Sequence, residues 1–227
     1  MLPIATSHVK GANLWQHALD LISTARCRSC GGFCEPASSS PLCAACVEQL
    51  TLPEGGLQGD QPLLWCALAP YAGELRSLLL RQRPTPDRPV VAALAGQLHH
   101  CCASVLPGAW LVPVPSWKRS GNPLPRLVAE ALAQTSGGKA VLAPQLLWRS
   151  RPTLGQHHLG RSLRARNLLN AFEAAPLRPG LSRPVWLVDD ILTTGATACG
   201  AAQALQAAGY AVQGLLALAR TPARGPR

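Results

Sequence analysis

The hydrophobic pattern changes character twice along this chain. Trp15, Leu19 and Ile22 recur at helical spacing within residues 1 to 26, which predicts a short amphipathic helix leading into a cysteine segment, Cys27 to Cys46. From Leu52 to Pro62, glycine and proline interrupt any period, and a domain boundary falls there. Leu63 to Leu98 then reads as a short apolar strand followed by helical patterns. They break at Arg83-Pro84-Thr85-Pro86, since each proline lacks an amide donor and clashes with the preceding turn. Trp110-Leu111-Val112-Pro113-Val114-Pro115 is a brief apolar run closed by proline, a strand end opening into a loop. Pro123 to Gln134 places Leu127, Val128, Ala131 and Leu132 on one helical face, and a further helix is predicted from Ser162 toward Phe172.

The last unit is the most legible. Val185-Trp186-Leu187-Val188 is apolar on both faces, as a strand inside a parallel sheet must be. Two aspartates and a Thr/Gly turn follow, then a small-residue helix from about Ala196 to Ala208, Gly209 at its end, and a closing strand from Tyr210 to Leu218. Strand, helix and strand in this order form a βαβ unit, so the chain belongs to the α/β class. The organisation predicted is an N-terminal helix and cysteine module over 1–55, an α/β domain over 60–219 and a disordered tail over 220–227.

Candidate chemistry concentrates at the end of the Val185–Val188 run. Strand side chains alternate faces, so neighbouring Asp189 and Asp190 cannot share one side of a regular strand, and the strand is expected to end there. That position is the carboxyl edge of a parallel sheet, where open α/β folds bind ligands. Thr193, Thr194 and Thr197 supply three hydroxyls beside the amides of a helix N-terminus, and Gly195 lets the backbone fold round an anion. A helix cap alone would need one hydroxyl. Each charge-assisted bond to phosphate contributes roughly 1.5–3 kcal/mol, so four or five suffice for specific capture. Carboxylates facing that phosphate would repel it; a sugar diol suits them better as acceptors. No lysine follows the glycine, and no Gly-x-Gly-x-x-Gly occurs, so neither an ATP-type phosphate loop nor a dinucleotide site is indicated.

Charge sharpens this picture. Lys plus Arg number 21 against 11 Asp plus Glu, a formal charge of +10 that favours anionic partners, phosphate and nucleic acid alike. Between Trp110 and Asn170 the only acid is Glu130, whereas Lys118, Arg119 and Arg164 stand among many basic residues. With 48% apolar but only 4% aromatic residues, the core must be built from Leu, Val and Ala. No secretory pattern opens the chain and no run is long enough for membrane insertion, which points to the cytoplasm. In a reducing compartment clustered cysteines hold metal more readily than they form disulfides. Cys27-x-x-Cys30 and Cys43-x-x-Cys46, twelve residues apart, have the spacing of two thiolate knuckles closing on one tetrahedral zinc ion. Structural zinc would supply roughly 10–16 kcal/mol of folding free energy to a segment with little core of its own. Cys34, inside the loop, is either a substitute ligand or a bystander. The remaining thiols read as small buried residues.

The run Val185-x-Leu187-Val188-Asp189-Asp190-x-x-Thr193-Thr194-Gly195-Ala196-Thr197 resembles the phosphoribosyl pyrophosphate signature of type I phosphoribosyltransferases. With its cysteine-rich start, nearly the whole chain resembles the ComF/GntX family. The resemblance implies a type I phosphoribosyltransferase-like parallel sheet flanked by helices, with a small N-terminal zinc-binding module. It implies that Asp189 and Asp190 hold the ribose hydroxyls and act in catalysis, and that Thr193, Thr194, Gly195, Ala196 and Thr197 hold the 5-phosphate. On the pyrophosphate side it implies Lys118, Arg119 and Arg164, working with Mg²⁺. Gln156, Arg164-Ala165-Arg166-Asn167 and Phe172 resemble positions upstream of the phosphate strand. Two departures stand out: Arg119-Ser120-Gly121-Asn122-Pro123 lacks the phenylalanine of an Arg-Gly-Phe-Asn segment, and Arg81-Gln82-Arg83-Pro84 replaces a Lys-x-Phe type. Two functions follow. One is a phosphoribosyltransferase using phosphoribosyl pyrophosphate, or binding a related ribose phosphate, with its acceptor open. The other is a non-catalytic DNA-handling protein of natural competence, partnered by single-stranded DNA or competence proteins.

Overall fold

The computed structural model describes residues 26–35, 40–116, 121–150 and 171–222. The chain divides into two compact units, Met1–Val47 and Glu48–Arg227. In the first, the described backbone turns tightly between Cys27 and Gly32, whose carbonyl accepts the Cys27 N–H at 2.7 Å, and then reaches helix α1, Ala44–Gln49. The helix predicted around Trp15 lies outside the described residues.

The larger unit is built on a six-stranded sheet. Its strands are β1 (Leu57–Gly59), β2 (Trp65–Pro70), β3 (Trp110–Pro113), β4 (Val141–Leu142), β7 (Val185–Leu192) and β8 (Val212–Arg220). Their order is β1-β2-β8-β7-β3-β4, with β1 antiparallel to β2 and every other pairing parallel. Among the described residues the helices of this unit are α2 (Gly73–Gln82), α3 (Arg88–Cys102), α4 (Leu124–Thr135) and α5 (Ala196–Ala207). Two further strands, β5 (Leu147–Arg149) and β6 (Phe172–Ala174), pair antiparallel as a separate small sheet. This is the predicted α/β architecture, a mostly parallel sheet with flanking helices.

Local chemistry explains where the helices start and stop. Asp87 caps α3, its carboxylate accepting the Val90 N–H at 3.4 Å, and proline occupies the first turn, where a missing amide costs nothing. Pro84 stops α2, so Arg83 becomes its C-cap. The connecting turn is held by buried Gln82, whose Oε1 accepts the Asp87 N–H at 2.6 Å. On α4, Val128, Ala131 and Leu132 of the predicted face are buried and Leu127 is half-buried, while Leu124 and Ala129 extend the covered stripe.

Four consecutive buried residues open β7, as both-face burial requires. Val185 and Leu187 join α5 residues Ala198, Ala201 and Leu205, together with Phe172, in one core. Trp186 and Val188 are buried too and, by alternation, serve the opposite layer, where α3 and α4 pack.

Two expectations are corrected, and one falls mostly outside the described residues. First, β7 does not end at the acidic pair: it continues to Leu192, because β8 pairs with Asp189, Ile191 and Leu192 through Ala217, Ala219 and Arg220. Second, the helix predicted from Ser162 toward Phe172 lies outside the described residues as far as Asn170, and Phe172 itself lies on strand β6, where Arg149 of β5 pairs with it. Third, Arg220 belongs to β8 and not to a tail, and the strand begins at Val212 instead of Tyr210.

Candidate donor site and cysteine centre

Because β7 runs on, alternation sends its two acids to opposite faces. Asp189 shares parity with Val185 and Leu187, on the α5 side. It is half-buried, and its Oδ1 accepts the Asp190 N–H at 2.8 Å. Burial first, and then the charge of Asp190, push its carboxyl well above the usual carboxylate range. Asp190 shares parity with Trp186 and Val188 and is sealed. Its carboxylate takes three donors: Arg83 Nε to Oδ2 at 2.7 Å, Arg83 Nη2 to Oδ1 at 3.2 Å and Asn122 Nδ2 to Oδ2 at 2.7 Å. Burial works against the Arg83 charge, but Asp190 outweighs it and holds the guanidinium above its ordinary value.

Beyond Leu192 the chain turns into α5. Thr193 and Thr194 are exposed, and Gly195 stands at the N-cap with φ 77°, a left-handed conformation that glycine adopts without steric cost. Its carbonyl accepts the Cys199 N–H at 2.8 Å and starts the helix, while Thr194 Oγ1 accepts the Ala196 N–H loosely at 3.4 Å. Ala196 and Thr197 form the first turn, half-buried. Hydroxyls and first-turn amides thus gather at the positive end of a twelve-residue helix. The loop is braced from below: Arg220 Nη1 donates to the Leu192 carbonyl at 3.2 Å and to that of Thr193, with its guanidinium 5.3 Å from the Trp65 ring centroid.

Arg149 stands close enough to Asp189 for their charges to interact. Its Nε donates to the Pro115 carbonyl at 3.0 Å and its guanidinium lies 4.5 Å from the Phe172 ring centroid. Burial lowers its basicity and the charge of Asp189 partly restores it. Arg83, Asn122, Arg149 and Arg220 were not singled out as site residues from sequence. Each sits at an element end far along the chain from Asp189, and the single signal available was a basic residue against proline at Arg83. Lys118, Arg119, Arg164, Arg166, Asn167, Gln156, His157 and His158 lie outside the described residues.

In the N-terminal unit the four predicted cysteines converge: ligand atoms of Cys27, Cys30, Cys43 and Cys46 all lie within 4.8 Å of one another. Cys30 Sγ and Cys43 Sγ are 3.8 Å apart. The edge of a sulfur tetrahedron with metal bonds of about 2.3 Å is also about 3.8 Å, so the set fits a zinc-sized ion. Cys34 is buried nearby but outside that group. Burial opposes ionisation of Cys27, yet hydrogen bonds from Cys43, Cys30 and Ser29 bring it down to about 6. Cys46 is pushed up to about 12 by burial and its neighbours. Four crowded thiols cannot all ionise without a cation, and this asymmetry is the expected result.

No family model matches the chain. The DNA utilization protein YhgH of Salmonella typhi is 31% identical over 207 residues, covering 79% of this chain and 89% of that protein. The chain belongs to the ComF/GntX family. A shorter match links this ComF/GntX chain to the DNA utilization protein YhgH of Escherichia coli (strain K12), 42% identical over 73 residues, 32% of this chain and 31% of that one. Among solved structures, Mycobacterium tuberculosis orotate phosphoribosyltransferase in complex with Fe(III) dicitrate aligns with a TM-score of 0.37 at 18% identity, covering 62% of this chain and 66% of that one. So distant a likeness has no bearing on mechanism. No described helix of this family member is long and apolar enough to cross a membrane.

Proposed function

We propose that the larger unit binds phosphoribosyl pyrophosphate or a related ribose phosphate, and that it transfers the ribosyl phosphate to an acceptor still to be identified. The observation that carries this reading is the adjacency of Asp189, half-buried at the sheet's carboxyl edge, to a loop with two exposed threonines and a left-handed glycine at a helix N-terminus. Thr193, Thr194, Thr197 and the amides of Gly195 and Ala196 receive the 5-phosphate. Asp189 accepts from the ribose hydroxyls. Its carboxyl, poised by burial toward the protonated form, gains stabilisation when a diol donates to the ionised form.

In such a transfer, pyrophosphate departs from the anomeric carbon through a cationic ribose. The protein's part is to hold the reactants in line and screen the leaving charge. Lys118, Arg119 and Arg164 take the pyrophosphate side, and Mg²⁺, carried in with the donor, would neutralise its charge. Zinc held by Cys27, Cys30, Cys43 and Cys46 serves structure.

Calorimetry with phosphoribosyl pyrophosphate and Mg²⁺ tests the reading: the wild-type chain binds and Asp189→Asn and Thr194→Ala do not. Undiminished binding in both variants removes the assignment. Pyrophosphate release against a panel of bases, amines and glutamine then tests turnover.

A DNA-handling role is the second reading, favoured by the name of the Salmonella relative and by Phe33. That ring is 67% exposed beside the cysteine set, with the Arg26 guanidinium 5.0 Å from its centroid, a stacking platform for a single-stranded base. It requires steeply salt-dependent DNA affinity that weakens in Phe33→Ala.

A further inference from the structure

Arg83 stands where the sequence departs from a Lys-x-Phe segment, and its side chain is fixed from root to tip. Its backbone N–H donates to Leu79 at 3.2 Å, and the buried amide of Gln82 pins the following turn. Its planar head meets Asp190 through Nε and Nη2, at 2.7 and 3.2 Å. Pairing through those two atoms uses one edge of the guanidinium and turns Nη1 away from the carboxylate. No described residue accepts a hydrogen bond from Nη1. Asp190 is 3% exposed and Arg83 is 39% exposed, so the acid lies sealed beneath while the outer edge of the arginine stays open.

Three of the roughly four acceptor positions of the sealed acid are taken, and burial closes the remaining one on Oδ1 to a sugar. Oδ2 already takes Arg83 Nε and Asn122 Nδ2, and Oδ1 takes Arg83 Nη2. By strand parity the clamp also lies on the face of β7 away from the Asp189 side. A ligand held by its phosphate at Thr193–Thr197 and carrying a second anion would reach across the strand end to arrive there.

We infer that Arg83 is a second anion contact of the donor site, with Asp190 as its anchor and not as a ribose ligand, and that Nη1 meets the diphosphate of the donor. This rests on the donor reading proposed above. An arginine already held in place loses little side-chain freedom on binding, so its contact goes largely into affinity. Neutralising Asp190 also removes one of two negative charges that would repel the incoming diphosphate.

The two ends of the donor separate this role from a purely structural one. Titrations of the full chain with phosphoribosyl pyrophosphate plus Mg²⁺, inorganic pyrophosphate plus Mg²⁺, and ribose 5-phosphate provide the comparison. Arg83→Met is expected to weaken both diphosphate probes about ten-fold or more, the size of one charge-assisted bond, and to leave ribose 5-phosphate within about two-fold. Arg83→Lys restores part of the loss. Should Arg83→Met fail to fold with its acid unpaired, Arg83→Met combined with Asp190→Asn is measured and must show the same selective loss. Equal weakening of all three probes, or of none, overturns the inference and leaves the phosphate loop intact. A wild-type chain that takes up none of them sinks the donor reading, and this contact with it.

Discussion

Pro62 occupies the space that a side chain at Gly195 would need: a Cβ built on Gly195 meets Pro62 Cγ and lies 2.8 Å from Cδ. The residue that turns β7 into α5 is therefore constrained twice, by φ 77° and by a neighbour more than a hundred positions earlier. Gly195→Ala is expected to cost about 1–2 kcal/mol for the left-handed backbone and a further 1–3 kcal/mol for the overlap. Denaturant unfolding measures the sum. Adding Pro62→Gly relieves the overlap and leaves the backbone cost, so the double variant recovers only part; full recovery would show that φ is not the constraint.

The charge of Asp189 makes stability depend on pH with a definite sign. Its carboxyl is raised by burial and by Asp190, so the folded chain holds this proton more tightly than the unfolded chain does. From the unfolded value of about 3.9 up through the raised folded value, stability falls as pH rises. Asp189→Asn removes that penalty. Its Tm should exceed the wild-type value at pH 8, by about 2–4 °C for each kcal/mol recovered, and converge with it toward pH 4. A gap unchanged across this range refutes the account, whatever happens to ligand binding.

Arg83 and Asp190 also bear on folding. Removing one partner of a buried pair leaves an uncompensated charge, at a cost of roughly 3–5 kcal/mol, and Arg83→Met should fall near the lower end because Arg83 is 39% exposed and water replaces part of it. Asp190→Asn added to Arg83→Met should recover most of the loss, since Asn122 remains as a partner for the amide. Chemical denaturation of the four corners of this cycle measures the coupling. Strict additivity would mean that the two side chains do not meet in solution.

The cysteine centre predicts a clean separation among five thiols. Serine at Cys27, Cys30, Cys43 or Cys46 should abolish bound metal and expose the N-terminal unit to proteolysis, since metal binding there is folding free energy. Cys34→Ser should keep one metal per chain. Metal content by mass spectrometry after removal of free ions reads both; loss of metal in Cys34→Ser would bring that thiol into the ligand set.

Sequence alone determined the features that depend on neighbours in the chain. The both-face apolar run of β7, the helix after Gly195, the break of α2 at Pro84 and the pairing of Cys27-x-x-Cys30 with Cys43-x-x-Cys46 are local patterns, and the structure carries each of them. Alternation was also legible at the two acids, but its consequence was not. Sequence led to the expectation that the strand stops at the pair, whereas β8, by pairing with Asp189, Ile191 and Leu192, carries the strand on and parts the acids. Arg83 and Asn122 lie 107 and 68 positions from the carboxylate they share, so no periodicity relates them to it. The same holds for Arg149 near Asp189 and Arg220 beneath Thr193. Spacing reports which residues share a face; which distant side chain answers a charge is set by the packing that closes the sheet.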